Sequence, residues 1–229
     1  MWDDMKRLII AIDGPSGAGK GTIARTISES LGYRHVDTGA MYRAVGWKAA
    51  NASIPLDDEA AVSALARQAV LVVEGGVVSI DGYDVTRAIR TPEIDKAATA
   101  VARLPKVREA LVARQRALGA EGGVVMEGRD IGTVVFPNAD VKIYLDASAE
   151  ERARRRAGDT AHSGSQAGQA AVAAAIQARD TADTTRTVSP LAIAPDAVHI
   201  DTTGMPIDHV VKRVMDLVSR RMGQTDEDA

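Results

Sequence analysis

The chain has 229 residues, with 28 Lys and Arg against 31 Asp and Glu and a formal net charge of −3. That length suits one α/β domain with an insertion, and that charge gives no general drive toward nucleic acid or an anionic membrane. Cysteine is absent, which excludes disulfides and thiolate metal sites; one Phe, two Trp and four Tyr leave an aliphatic core with few platforms for stacking single-stranded bases.

Met1–Arg7 is too short and acidic for a signal peptide, and no apolar run approaches the length of a membrane span, so a cytoplasmic, membrane-free protein is expected. Arg7–Asp13 (RLIIAID) reads as a buried parallel strand. Lys20–Leu31 follows with Ile23, Ile27 and Leu31 on one helical face and Gly32 as its stop. Further strands are predicted at Arg34–Val36, Val124–Glu127, Val141–Leu145 and Val198–Asp201. Helices are predicted at Gly39–Ala50, Lys106–Leu118, Ser148–Ala157, Ala170–Thr181 and Ile207–Arg221. This alternation predicts a five-stranded parallel sheet flanked by helices. Leu71–Val73, Val77–Ile80 and Tyr83–Val85, joined by Gly-Gly and Asp-Gly, break the rhythm and predict a small antiparallel β insertion. Gly158–Gly168 is polar and rich in small residues, as suits a mobile loop, and Gln224–Ala229 reads as a disordered acidic tail. The expected layout is a single domain with its core at about 6–50 and 105–222, an inserted subdomain at 51–104, a lid at 156–170 and a tail at 224–229.

Between the first strand and the first helix stands IDGPSGAGKGT. Backbone N–H groups at the helix N-terminus can point at phosphate oxygens, and Lys20 adds a mobile charge between the β- and γ-phosphates. Gly14, Pro15, Ser16, Gly17, Ala18, Gly19, Lys20, Gly21 and Thr22 are the candidate ATP-binding residues. The hydroxyl that usually follows the lysine arrives one residue late, at Thr22. The GKGT run resembles the loop of nucleoside monophosphate kinases, in which Gly21 allows a close backbone approach and Thr22 caps the α-phosphate side. Mg²⁺ accompanying ATP is then expected to be held mainly by nucleotide oxygens and water. The chain also lacks the Asn/Thr-Lys-x-Asp run of a GTPase switch.

Four further stretches are DTGAMYR (Asp37–Arg43), KVREAL (Lys106–Leu111), EGRDIGTVVFP (Glu127–Pro137) and RDTADTTR (Arg179–Arg186). With the loop, in this order and spacing, they resemble the bacterial cytidylate kinase family, and KIYLDASAEERARRR (Lys142–Arg156) and SPL (Ser189–Leu191) extend the match. The resemblance runs from about Leu8 to Arg221 and includes the hairpin insertion. It implies a P-loop kinase fold and ATP-dependent phosphorylation of CMP and dCMP; a monomer is expected. In that family the positions matching Thr38, Arg43, Arg129 and Arg186 line the acceptor phosphate, and those matching Arg179 and Asp183 reach the sugar. Thr99, Arg108 and Asp130 match the cytosine contacts. A carboxylate there accepts from the N4 amino group, whereas uracil would present O4, acceptor against acceptor.

The chemistry fits the residues themselves. Phosphoryl transfer between two polyanions needs alignment and cations over the migrating group, which Lys20, Arg156 and Arg186 are expected to supply as catalytic residues. In the run Arg152, Arg154, Arg155 and Arg156, the last two are expected nearest the phosphates, while Gly158–Gly168 has no Lys or Arg. The run is too small and isolated for a nucleic-acid patch. Glu127 is a candidate Walker-B-like carboxylate, and no histidine is assigned to the site. The alternatives are a kinase for UMP or another small phosphate acceptor, and a nucleotide-gated binding module.

Overall fold

The computed structural model describes residues 7–159 and 168–227. The first half of the chain runs β1 (Ile9–Asp13), α1 (Lys20–Leu31), β2 (Arg34–Asp37), α2 (Thr38–Asn51), α3 (Glu59–Gln68), β3 (Leu71–Glu74), β4 (Val77–Ile80), β5 (Tyr83–Asp84) and α4 (Pro92–Val101). There follow α5 (Pro105–Leu118), β6 (Val124–Gly128), a π-helical turn (Ile131–Val135), β7 (Val141–Asp146), α6 (Ala149–Ala157), α7 (Gln169–Thr185), β8 (Val198–Asp201) and α8 (Ile207–Glu227). Five strands form one sheet in the order β2–β6–β1–β7–β8, every pair parallel. Every residue of β1 after Ile9 is buried, as a central strand covered on both faces requires.

Strand register positions the site. Asp13 lies beside Gly128, and Asp37 beside Glu127, so the carboxylates that end β1, β2 and β6 gather at the C-terminal edge, where open parallel sheets bind ligands. One face of the sheet packs on α1 and α8 through Ile10, Ile12, Ile23, Ile27, Val214 and Val218. The other packs on α2 and α5, and its core continues through Val62, Val78, Ile80 and Val85 of the insertion. The antiparallel sheet β3–β4–β5 is therefore anchored on the main core.

The insertion also carries two helices, α3 and α4, that the strand reading did not include. Both have ordinary start signals: Asp58 accepts from the Ala61 amide, and Thr91 accepts from the Ile94 amide one residue before Pro92. The Gly-Gly and Asp-Gly turns drew the whole segment toward strands. At the crossing of α2 and α4, a Cβ on Gly46 would stand 3.1 Å from the Ala97 carbonyl carbon and 3.2 Å from the Ala98 nitrogen. Small residues there bring α4 close against α2.

Other differences are local. The π turn forms because the Asp13 carboxylate accepts from the Ile131 and Gly132 amides at 2.8 and 2.7 Å. Helix α7 runs on to Thr185, which puts Asp183 on a helix. Helix α8 reaches Glu227, so the expected tail at 224–229 is helical that far, continuing the run that buries Val210, Val214 and Val218. Residues 228–229, and 160–167 of the expected lid loop, lie outside the described residues. No helix among the described residues is long and apolar enough to cross a membrane.

Candidate active site

Gly14 leaves β1 so close to the neighbouring strand that a Cβ there would fall 2.0 Å from the Leu145 carbonyl oxygen. The loop then turns through left-handed Gly17 and Gly19, and α1 starts at Lys20 with no side chain capping it. The first amides of the helix thus face a cavity of about 720 Å³ lined by residues 16–22. Thr202, Met205, Pro206, Ile207 and Val210 line the same cavity. The Lys20 ammonium is turned back onto the Pro15 carbonyl at 2.7 Å. Burial lowers its pKa to about 7, with Arg129 and, more weakly, Arg179 pushing the same way against Glu127 and Asp13.

On the acceptor side, eight of the nine residues expected there line one small pocket of about 40 Å³: Thr38, Thr99, Arg108, Arg129, Asp130, Arg179, Asp183 and Arg186. Arg43 lines the adjoining donor cavity. Their cations are already matched. Arg108 pairs with Asp130 over the ring of Tyr42, 5.5 Å from its centroid. Arg129 Nε donates to Asp183 at 2.8 Å. Arg186 donates from Nε to the Ser189 carbonyl at 2.6 Å and stands 3.6 Å from Asp130 and 3.8 Å from Asp183. Burial and the Arg108 charge lower the pKa of Arg186, with Asp130 and Asp183 opposing. Arg186 thus shares one charged nest with the pair expected to read the base. Two hydroxyls are spent on backbone: Thr38 donates to the Glu127 carbonyl at 2.7 Å and Thr99 to the Asp95 carbonyl at 2.9 Å.

The family model described as "Cytidylate kinase" matches residues 10–220. The chain belongs to the cytidylate kinase family. It is 51% identical over 215 residues to a cytidylate kinase of Pelotomaculum thermopropionicum, covering 92% of this chain and 95% of the relative. It is 48% identical over 220 residues to one of Desulfitobacterium hafniense, covering 95% of each. Among solved structures, a gluconokinase from Sinorhizobium meliloti 1021 superposes with a TM-score of 0.54 at 15% identity, over 98% of this chain and 99% of that one, a likeness of fold.

In this member of the cytidylate kinase family, several charged residues around the pocket were not assigned from sequence. Asp95 on α4 accepts from Arg43 Nε at 2.9 Å and Arg179 Nη1 at 3.2 Å, and it also pairs with Arg156. Burial alone would raise its pKa, but Arg43, Arg179 and Arg156 hold it far below the usual carboxylate range. Asp37 caps α2 through the Ala40 amide at 2.9 Å and pairs with Arg90 at 3.2 Å. Against the same cost of burial, Arg43 and Arg90 hold its pKa at about 2. Asp180 receives the Ser16 amide at 3.3 Å and pairs with Arg152, tying the donor loop to α7. It stands inside the quoted RDTADTTR run, whereas Asp95 lies on a helix the sequence reading did not draw.

The arginine run divides by direction. Arg154 faces solvent with Glu151. Arg155 donates to Ala18 and Thr202 carbonyls at 3.4 and 2.7 Å and braces the loop. Arg156 reaches across to α4. His35, assigned no role, places Nε2 3.0 Å from Glu127 Oε1. That carboxylate stands 3.2 Å from where a Gly21 Cβ would be, so Gly21 makes room for Glu127. Asp13 behind the loop is 5% exposed, and burial raises its pKa to about 6 against its two backbone hydrogen bonds.

Proposed function

We propose that this protein transfers the γ-phosphoryl group of ATP to the phosphate of CMP and of dCMP, giving the diphosphates, as a cytoplasmic monomer. The observation that carries the reading is the Arg108–Asp130 pair, buried at 3% and 8% side-chain exposure in the same small pocket as Arg129, Arg179 and Arg186. A guanidinium beside a carboxylate matches the acceptor and donor edge of cytosine, and Tyr42 gives the arginine a flat seat. Arg43, Arg129, Arg179 and Arg186 supply planar donor forks for a phosphate. The amides of residues 17–22 and Lys20 take the donor phosphates, while Met205, Pro206 and Ile207 offer an apolar seat for the donor base.

Glu127 offers a hard oxygen donor beside Gly21 and the loop. Among the described residues no group of three or more His, Cys, Asp or Glu forms a metal cage. This donor set suits a Mg²⁺ ion carried in by ATP, with Glu127 acting through water. Such an ion would supply charge neutralisation on the transferred phosphate. The protein's own part is alignment and electrostatic stabilisation: Lys20 and Arg156 lie where charge migrates, and the paired carboxylates keep the arginines in place until substrate arrives.

Release of ADP measured with CMP, dCMP, UMP and AMP as acceptors tests the reading. Turnover with CMP and dCMP should exceed that with UMP by at least about a hundredfold. Comparable turnover of UMP would overturn the base assignment, and ATP binding without turnover of any acceptor would favour a nucleotide-gated module.

A further inference from the structure

Asp95 belongs to no motif that pointed to the site, yet it sits at its electrostatic centre. Guanidinium groups from three helices converge on it: Arg43 from α2, Arg156 from α6 and Arg179 from α7. Asp37 divides its carboxylate between arginines and the Ala40 amide that caps α2. Among the described residues, every side-chain hydrogen bond the structure gives Asp95 comes from an arginine. Its helix is brought there by packing, because Gly46 on α2 admits Ala97 and Ala98 of α4 at close range.

Two further observations bear on what this cluster does. Between α4 and α7 lie a cavity of about 490 Å³ lined by Asp95, Thr99, Arg156 and Arg179 and a pocket of about 40 Å³ lined by Thr99, Arg179 and Asp183. The clasp from Asp95 to Arg179 joins those same two helices. The cluster is also incompletely satisfied: Arg179 Nε is buried without a hydrogen-bond acceptor. A carboxylate has two oxygens for three guanidinium forks, whereas a phosphate brings three and a larger charge.

We propose that Asp95 is an autoinhibitory internal anion, holding Arg43, Arg156 and Arg179 in the absence of substrate and competing with the acceptor phosphate for them. It clasps α4 to α6 and α7, and the incoming phosphate displaces it by offering the arginines a better set of acceptors. The inference rests on the reading of these arginines as phosphate ligands. Its energetic consequence is a tax on substrate affinity, because only the unclasped fraction of the protein binds.

Calorimetric titration of the full chain with inorganic phosphate, and separately with CMP, tests the competition. Asp95→Asn should bind inorganic phosphate about three- to tenfold more tightly than the wild type, with a similar gain for CMP. Glu93→Gln is the control: it removes the same charge from the same first turn of α4, at an exposed position, and should leave both affinities unchanged. Asp95→Ser gives the same readout if the Asn variant does not fold. Unchanged or weaker phosphate binding in the Asp95 variants would overturn the proposal, making Asp95 a support that aims the arginines. An equal gain in Glu93→Gln would also overturn it, by reducing the effect to bulk charge. Turnover of CMP by the wild type is scored separately: if it is absent the kinase reading fails, while the phosphate titration still reports whether Asp95 competes.

Discussion

The donor and acceptor sides of the cleft are prepared in different ways. The donor loop presents backbone amides around a cavity of about 720 Å³, with Lys20 parked on a carbonyl 2.7 Å away. The acceptor pocket measures about 40 Å³, and the arginines expected to hold the acceptor, of which Arg43, Arg129 and Arg179 also line the donor cavity, are paired with Asp37, Asp95, Asp130 and Asp183. Backbone geometry set by glycine and a strand end needs no ligand to persist. Several cations gathered without counter-charge would repel one another, so a site built from arginines needs internal anions until its substrate arrives. The donor side is thus ready for its ligand, whereas the acceptor side has to exchange partners.

The largest expected effect lies on the donor side. Lys20→Ala should lower kcat by about a hundred- to a thousandfold, since Lys20 acts on charge that moves during transfer. Its melting temperature should be unchanged or higher, because burial penalises the ammonium it removes. A loss of activity that followed a loss of folded protein would break the contrast.

On the acceptor side, Asp130→Asn should cut kcat/KM for CMP by about ten- to a hundredfold, the cost of one charged hydrogen bond. UMP should lose less, so the discrimination shrinks. Because Asp130 also holds Arg108, an equal loss for both substrates would mean that it serves the arginine rather than the base. Arg186→Met removes the second cation near Asp130 and should slow both substrates alike.

A pH titration separates the sides with a smaller effect. In the ligand-free protein Lys20 titrates near pH 7, below its ordinary 10.5. Donor phosphates favour the charged form and raise that pKa, so above pH 7 binding takes up a proton. Donor affinity should therefore fall by about tenfold per unit as pH rises from about 7 until the bound-state pKa is passed. Lys20→Arg should lack this fall, and calorimetry in two buffers of different ionisation enthalpy checks the proton uptake.

The smallest expected effect concerns packing. Gly46→Ala should destabilise the protein by about 1–3 kcal/mol in chemical denaturation, because the new methyl meets the Ala97 and Ala98 backbone. It should weaken CMP binding more than ATP binding, since it displaces α4 and leaves residues 14–22 untouched.

The sequence showed the two sides unequally for the same reason. The donor loop is a local pattern between a strand and a helix, so IDGPSGAGKGT carried its structure with it. The parallel sheet was legible from alternating apolar runs such as RLIIAID, and Arg108, Arg129 and Asp130 were reachable because they stand in recognisable motifs. Asp95, Arg90 and His35 were not. Each takes its place from a tertiary contact: Asp95 from the Gly46 crossing, Arg90 from the segment leading into α4, and His35 from the pairing of β2 with β6. Thr91-Pro92 announces α4, but a cap and a proline give a helix start and not its partners.

Hydrogen exchange of the full chain tests the contrast between the sides most directly, with CMP alone and with a non-hydrolysable ATP analogue alone. CMP should change protection in α4 and α7, whose clasp it must open, while the ATP analogue should change residues 14–22 and leave both helices near their ligand-free rates. Equal changes in α4 and α7 with the ATP analogue alone, or unchanged α4 and α7 with saturating CMP, would contradict it.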